Sequence, residues 1–450
     1  MHTIKRFHNG LKNFMTTANQ LESGKRSIDF ETTNDDTTKF KGAVSEESPA
    51  NGGLLSCWTV MAKTMIGVGL LGLSCATAKC GWFLGLLLLF IAGAAAMFTL
   101  HLLNCMIMSS SKRHVSFYSI SERVAPWCKL IVDIAIALKC FGVGTAYFQV
   151  YGSQLAQFIQ AMNPSVNNVL SSFALRSIVI LVGFVAMIPV CFRKRVSKTA
   201  VINVFGILGI SYIVLISIVY VEVDVGVTSV WPVGTFAEIT AKIPIFIFTF
   251  TCHQNMFLVG EDMADRTQKK LDAVAFLAEL VGACLFIPAL VCPYITYGSL
   301  VNSNFLESMG ANVEIGDSPA VLCGGLALAI AEISAFPLQL FPCRKSVIVL
   351  ISRGRDLVGN QEKHFRRAVT AIILIVTSIV AIFVTDLGIT LSLVGIIGSN
   401  TICFIMPSFL YCKSFARQGP KWYASAAVFV VSSLLLPICL TAILFVAAAK

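Results

Sequence analysis

The chain has 450 residues, 56% of them hydrophobic and only 13% charged, with a mean hydropathy of +0.79. That is about half the usual charged share, and one soluble core cannot hide so much apolar surface, so the composition calls for lipid as solvent. The formal charge of +10 comes from lysines and arginines lying between apolar runs, with no basic stripe interleaved with aromatics, which argues against a nucleic-acid partner.

Residues 1–50 are rich in Ser, Thr and Asn and balance seven basic residues against seven acidic ones, the composition of a disordered tail. No apolar h-region follows Met1, so the first span itself directs insertion. Crossing the hydrocarbon core takes roughly 20 apolar residues per helix. Runs of that kind lie near 54–75, 81–108, 130–160, 172–192, 199–220, 239–260, 272–297, 319–342, 367–386, 388–412 and 423–447. These are numbered spans 1 to 11, and they make residues 51–450 an all-α polytopic membrane domain of about eleven transmembrane helices. Fifteen cysteines fall singly through these runs without metal-type spacing, so they read as small packing residues and no metal site is expected.

Cytoplasmic loops retain Lys and Arg, and the alternation here is consistent. The tail carries seven, and the loops after spans 2, 4, 6, 8 and 10 carry four, four, three, seven and three. The other side holds four (Lys79, Arg176, Lys242, Lys450) and collects Glu222, Asp224, Glu238, Glu307, Glu314 and Asp317. The N-terminus is therefore expected in the cytoplasm and the C-terminus outside or in a lumen. Plasma membrane, vacuole and lysosome all satisfy that orientation.

Two spans carry interruptions that a lipid-facing helix avoids. In span 1 the segment AKTMIGVGLLGLS places Gly67, Gly69 and Gly72 in mid-membrane. In span 6, KIPIFIFTFTCHQNM clusters Thr249, Thr251, Cys252, His253, Gln254 and Asn255. Unwound backbone at membrane depth is tolerated only where it lines a cavity or is buried in protein. Spans 1 and 6 are five apart in the series, so they occupy matching places in two inverted five-helix halves, the sequence pointer to a transporter binding site. Freed amides suit a carboxylate and freed carbonyls an ammonium, which together match an α-amino acid zwitterion. Close helix packing by small residues would also explain the glycines of span 1 taken alone.

With these residues in view the chain resembles the amino acid/auxin permease superfamily, which joins vacuolar, proton-assisted and sodium-coupled neutral amino acid transporters. The similarity rests on KTMIGVGLLGLSCATAKCGW in span 1, FGVGTAYFQVYGSQL (141–155) in span 3, FTFTCHQNM (248–256) followed by EDMADRTQKKL, and FPLQLFPCRKSV (336–347) ending span 8. The resemblance implies a LeuT-type fold, a 5+5 inverted repeat plus one extra helix, with the substrate between spans 1, 3, 6 and 8. The implied substrate contacts are Ile66, Gly67, Val68, Gly69, Tyr147, Phe248 and Thr251. Lys63, His253 and Glu332 are the implied coupling or gating residues.

Lys63 stands where the sodium-coupled branch has asparagine, and Ile333 and Ala335 stand where it has threonines, so the expected oxygen ligands are absent. A fixed ammonium beside a cation site would repel sodium, and Glu332 could pair with Lys63 as a proton-carrying couple. The first-span histidine of some proton-assisted members is Val60 here, and Ser74 replaces a common proline. Asp133, Lys139, Glu279 and His101 read as structural, Asp386 as a solvated cap, and Phe246 as packing or gating. Nothing suggests catalysis. The expected function is secondary active, sodium-independent transport of small neutral amino acids by alternating access, proton-coupled or facilitative, by a monomer without cofactors. An amino-acid sensor signalling through the tail is the alternative, and an ion channel is disfavoured because no filter repeat is visible.

Overall fold

The computed structural model describes residues 52–449 except 111, 112, 114, 193–198, 222–227, 313–315, 317 and 353–358. The proposed tail, together with Arg193, Lys194, Arg195, Lys198, Arg353, Arg355, Glu222, Asp224, Glu314, Asp317 and Lys450, lies outside the described residues.

Among the described residues, ten helical segments are long and apolar enough to cross a membrane: Leu54–Cys80, Trp82–Met108, Pro126–Met162, Ser172–Cys191, Phe236–Asp262, Gln268–Leu300, Pro319–Ser352, Asn360–Phe383, Leu387–Ser414 and Gly419–Ala448. They coincide with spans 1–4 and 6–11. The helix Thr199–Val219 occupies the place of span 5, and its described apolar part is Val204–Val219. The third run carries no internal turn: Lys129–Met162 is one continuous helix, preceded by the short turn Pro126–Cys128.

Several helices begin or end where the sequence supplies a reason. Gly81 joins spans 1 and 2 at φ 73°, where a Cβ would stand 2.5 Å from the Trp231 carbonyl oxygen, so only glycine suits this turn. Thr235 and Glu238 form a capping box at the start of span 6. Ser171 and Thr267 cap spans 4 and 7 by accepting from the amides of Ala174 and Lys270. Asp386 is a cap as expected, but it belongs to span 10, accepting from the amides of Gly388 and Ile389 at 2.8 and 3.4 Å.

Burial separates an inner from an outer set. In spans 6 and 10, 78% of the apolar window is buried, against 22% in spans 4 and 11. Large apolar side chains such as Phe90, Val182, Val185, Leu208 and Phe445 are exposed, as on a surface whose solvent is lipid. Spans 3 and 8 share the most extensive helix–helix contact, while span 1 packs chiefly on span 7 and the first half of span 6 on spans 10 and 11.

Candidate substrate-binding site

Span 1 is two helices. Leu54–Met65 stops at Ile66, whose backbone turns extended (φ −81°, ψ 93°); Gly67 is also extended, and a 3₁₀ turn, Val68–Gly72, leads into Leu73–Cys80. Gly69 is small because span 6 comes close: a Cβ there would lie 3.0 Å from Phe248 Cδ1 and 3.2 Å from Thr249 Cα. Span 6 breaks opposite this point, Phe236–Thr249 ending at Phe250 and His253–Asp262 starting after Cys252.

The first half of span 1 packs with the second half of span 6, and the second half of span 1 with the first half of span 6, so the two run antiparallel. Asn255 Nδ2 donates to Thr64 Oγ1 at 2.6 Å beside the breaks. At the end that carries the basic loops, the Gly52 amide donates to the Asp262 carbonyl (3.0 Å) and the Ala264 amide to the Gly52 carbonyl (3.3 Å). At the opposite end, Lys79 Nζ meets Glu238 Oε1 at 2.7 Å.

Where the breaks cross there is a cavity of about 10 Å³, room for about one water. Span 1 lines it with Thr64, Met65, Gly67, Val68 and Gly69, and span 6 with Phe248 and Thr251. Span 3 contributes Lys139, Val143 and Tyr147, and span 8 contributes Gln339, whose Nε2 donates to Tyr147 Oη at 3.5 Å. The first amides of a helical turn have no partner inside it, and two such turns, at Val68 and His253, start beside this cavity or one residue beyond its wall. A second cavity of about 250 Å³ opens between the same half-helices toward the basic end, walled by Ser56, Cys57, Val60, Leu258 and Asp262 among others.

Six of the seven expected substrate contacts line the central cavity; Ile66, fully buried at the turn itself, does not. The expected coupling residues lie just outside it. Lys63 (3% exposed) and Glu332 (fully buried) approach to 3.7 Å, with no hydrogen bond on Nζ or on either carboxylate oxygen. The Lys63 stem crosses span 5 at Gly206, where a Cβ would come within 2.6 Å of Cε. His253, also fully buried, ties the second half of span 6 to span 2 through Nε2 and Thr99 Oγ1 at 2.9 Å.

Two of the residues read as structural bond to a neighbouring span, while Glu279 is buried with no hydrogen bond on Oε1. Asp133 accepts from Ser346 Oγ at 3.0 Å, and His101 Nδ1 lies 3.0 Å from Asp272, joining spans 2 and 7. Phe246 is buried and does not line the cavity. Between spans 7 and 8 the short helix Phe305–Gly310 carries Glu307, whose carboxyl is held above the ordinary value of 4.5 mainly by burial, against the opposing pull of Ser153, Asn304 and Arg176.

Lys139 is the exception: it lines the cavity. With Val143 and Tyr147 it stands at i, i+4 and i+8, one helical face, so extending that face back from Tyr147 would have found both. Gln339 lies seven residues after Glu332, two turns along span 8, inside the quoted PLQLFP motif.

Among the described residues the protein is helical apart from one isolated bridge, and its two broken helices cross at a small cavity, the kind of place where membrane carriers bind their cargo. The chain belongs to the family of transmembrane amino acid transporter proteins, which it matches over residues 50–448. It is 28% identical over 363 residues to vacuolar amino acid transporter 5 of Schizosaccharomyces pombe, covering 80% of this chain and 84% of that one. Vacuolar amino acid transporter 5 of Saccharomyces cerevisiae is 25% identical over 410 residues, covering 80% and 88%. The putative sodium-coupled neutral amino acid transporter 11 of Bos taurus is 24% identical over 383 residues, covering 84% and 79%. The protein is thus an amino acid transporter of the multi-pass membrane type.

Proposed function

We propose that the protein carries small neutral amino acids across a membrane by alternating access, without sodium, either with protons or down the substrate's own gradient. The observation that carries this reading is the crossing of the two broken spans at a cavity walled by backbone, Thr251, Tyr147 and Gln339. Peptide dipoles at such breaks hold a zwitterion at both ends. Its volume of about 10 Å³ is that of an occluded site, which opens before any amino acid enters.

Two features support alternating access. The Phe305–Gly310 helix packs on spans 1, 3 and 8 at the end opposite the basic loops, while the larger cavity lies at the basic end. The reading includes a LeuT-type inverted repeat, a cytoplasmic N-terminus set by the basic loops, and a monomer. Relatives named as vacuolar transporters favour a vacuolar or lysosomal membrane over the plasma membrane. Sodium independence rests on Lys63: its ammonium stands between spans 1, 5 and 8 where the sodium-coupled branch has an asparagine, and it takes the nearby carboxylate of Glu332 as its own partner. The same pair is the proposed proton carrier.

The test is uptake of a panel of labelled amino acids into proteoliposomes, with sodium and proton gradients imposed separately. Uptake of alanine, serine and similar substrates that ignores sodium is the expected result. Uptake that follows a sodium gradient and is indifferent to pH would overturn the coupling assignment.

A further inference from the structure

Of the side chains that line the central cavity, Lys139 alone carries a full charge. It is only 1% exposed, and among the described residues it has neither an ion pair nor a hydrogen bond, Glu332 being paired with Lys63 instead. Lysines are almost never fully buried without a partner, and an ionisable group within the bilayer marks function by default. The titratable groups around it are the thiols of Cys140, Cys252 and Cys403, the imidazole of His253 and the Tyr147 phenol, none of which is a strong counter-charge.

The position of the lysine is built into the fold. Span 10 widens into π-helical turns at Val394–Ser399 and Thr401–Ile405, and its Gly398 presses on the stem: a Cβ there would lie 2.5 Å from Lys139 Cβ and 2.8 Å from its Cα. Widened turns of this kind cluster at functional sites. Across the cavity from Lys139 stand the span 1 break at Gly67 and Gly69, and Thr251 of span 6.

We infer that Lys139 pairs with the α-carboxylate of the bound amino acid and acts as the charge filter of the site, excluding substrates with cationic side chains. The described residues supply no counter-charge at this point, and a zwitterionic cargo supplies one as it binds. A cationic side chain brings a second positive charge into the same low-dielectric space and is repelled. This deepens the transport reading and rests on it: that reading accounts for binding by backbone dipoles, whereas the restriction against cationic substrates is assigned to one side chain.

The experiment is competition against labelled alanine uptake in proteoliposomes by homoserine and by 2,4-diaminobutyrate, which are nearly isosteric and differ by one positive charge. In the wild-type protein homoserine should inhibit at concentrations about tenfold or more below those needed for 2,4-diaminobutyrate. K139M and K139Q should weaken alanine affinity and close that gap, while K139R, which keeps the charge, should preserve the gap. Equal inhibition by the two competitors in the wild-type protein overturns the inference whether or not the variants fold. So does a gap that persists in K139M or K139Q. Absence of alanine uptake by the wild-type protein counts against the transport of small neutral amino acids, whereas uptake without the charge gap counts against Lys139 alone.

Discussion

Lys63 and Glu332 lie 3.7 Å apart with no other hydrogen bond to share their charges. Breaking a buried pair from one side strands a charge in apolar surroundings and typically costs about 3–5 kcal/mol, whereas replacing both partners by apolar groups is close to neutral. K63M and E332L should therefore each lower the thermal stability of the detergent-solubilised protein markedly, and K63M/E332L should recover most of the loss. Additive losses in the double variant would show that the two side chains do not depend on each other. At this scale the sequence was readable where chemistry and place coincide. Glycines in mid-membrane have few uses, so Gly67 and Gly69 stood out. Lys139 did not, because a lone lysine in a long apolar run looks the same whether it faces a neighbour or a cavity; only the register against Val143 and Tyr147 tells them apart.

The halves of spans 1 and 6 are the elements on which the site depends, and their ends are fastened differently. At the basic end the Gly52–Met263 bridge is clamped by Arg113, whose Nη2 donates to the Met263 carbonyl at 2.6 Å and whose Nε donates to that of Glu261 at 3.1 Å. Charge-assisted bonds of this kind contribute about 1.5–3 kcal/mol. R113A should raise hydrogen exchange at the amides of Gly52 and Ala264 by about tenfold or more, leaving spans 3 and 8 unchanged. Unaltered protection at those two amides would mean that the bridge holds without the arginine. Both breaks were legible as composition, glycines in one span and a polar run in the other. The widened turns of span 10 were not, because they follow from the close approach of Gly395 to the Pro244 carbonyl and of Gly398 to Lys139, contacts between spans distant in sequence.

For the whole molecule, length and hydropathy sufficed to place the helices, since a bilayer imposes one element length on every crossing. They also separate inside from outside, since the buried spans 6 and 10 are less apolar than the outward-facing spans 4 and 11; what they could not give is which spans pack against which, a matter of contacts between distant segments. The central claim is that the crossing of spans 1 and 6 is where the amino acid is held. Gly67 borders that cavity, and the atom nearest to a Cβ added there is Tyr147 Oη at 3.8 Å, so a larger side chain at 67 grows into the binding space without meeting backbone. The direct measurement is equilibrium binding of labelled alanine to purified wild-type protein and to G67L, with thermal unfolding followed in parallel. Saturable binding by the wild type, lost in a G67L variant that still unfolds in one cooperative transition, is the predicted result; equal binding by a folded G67L would place the substrate elsewhere and contradict the account.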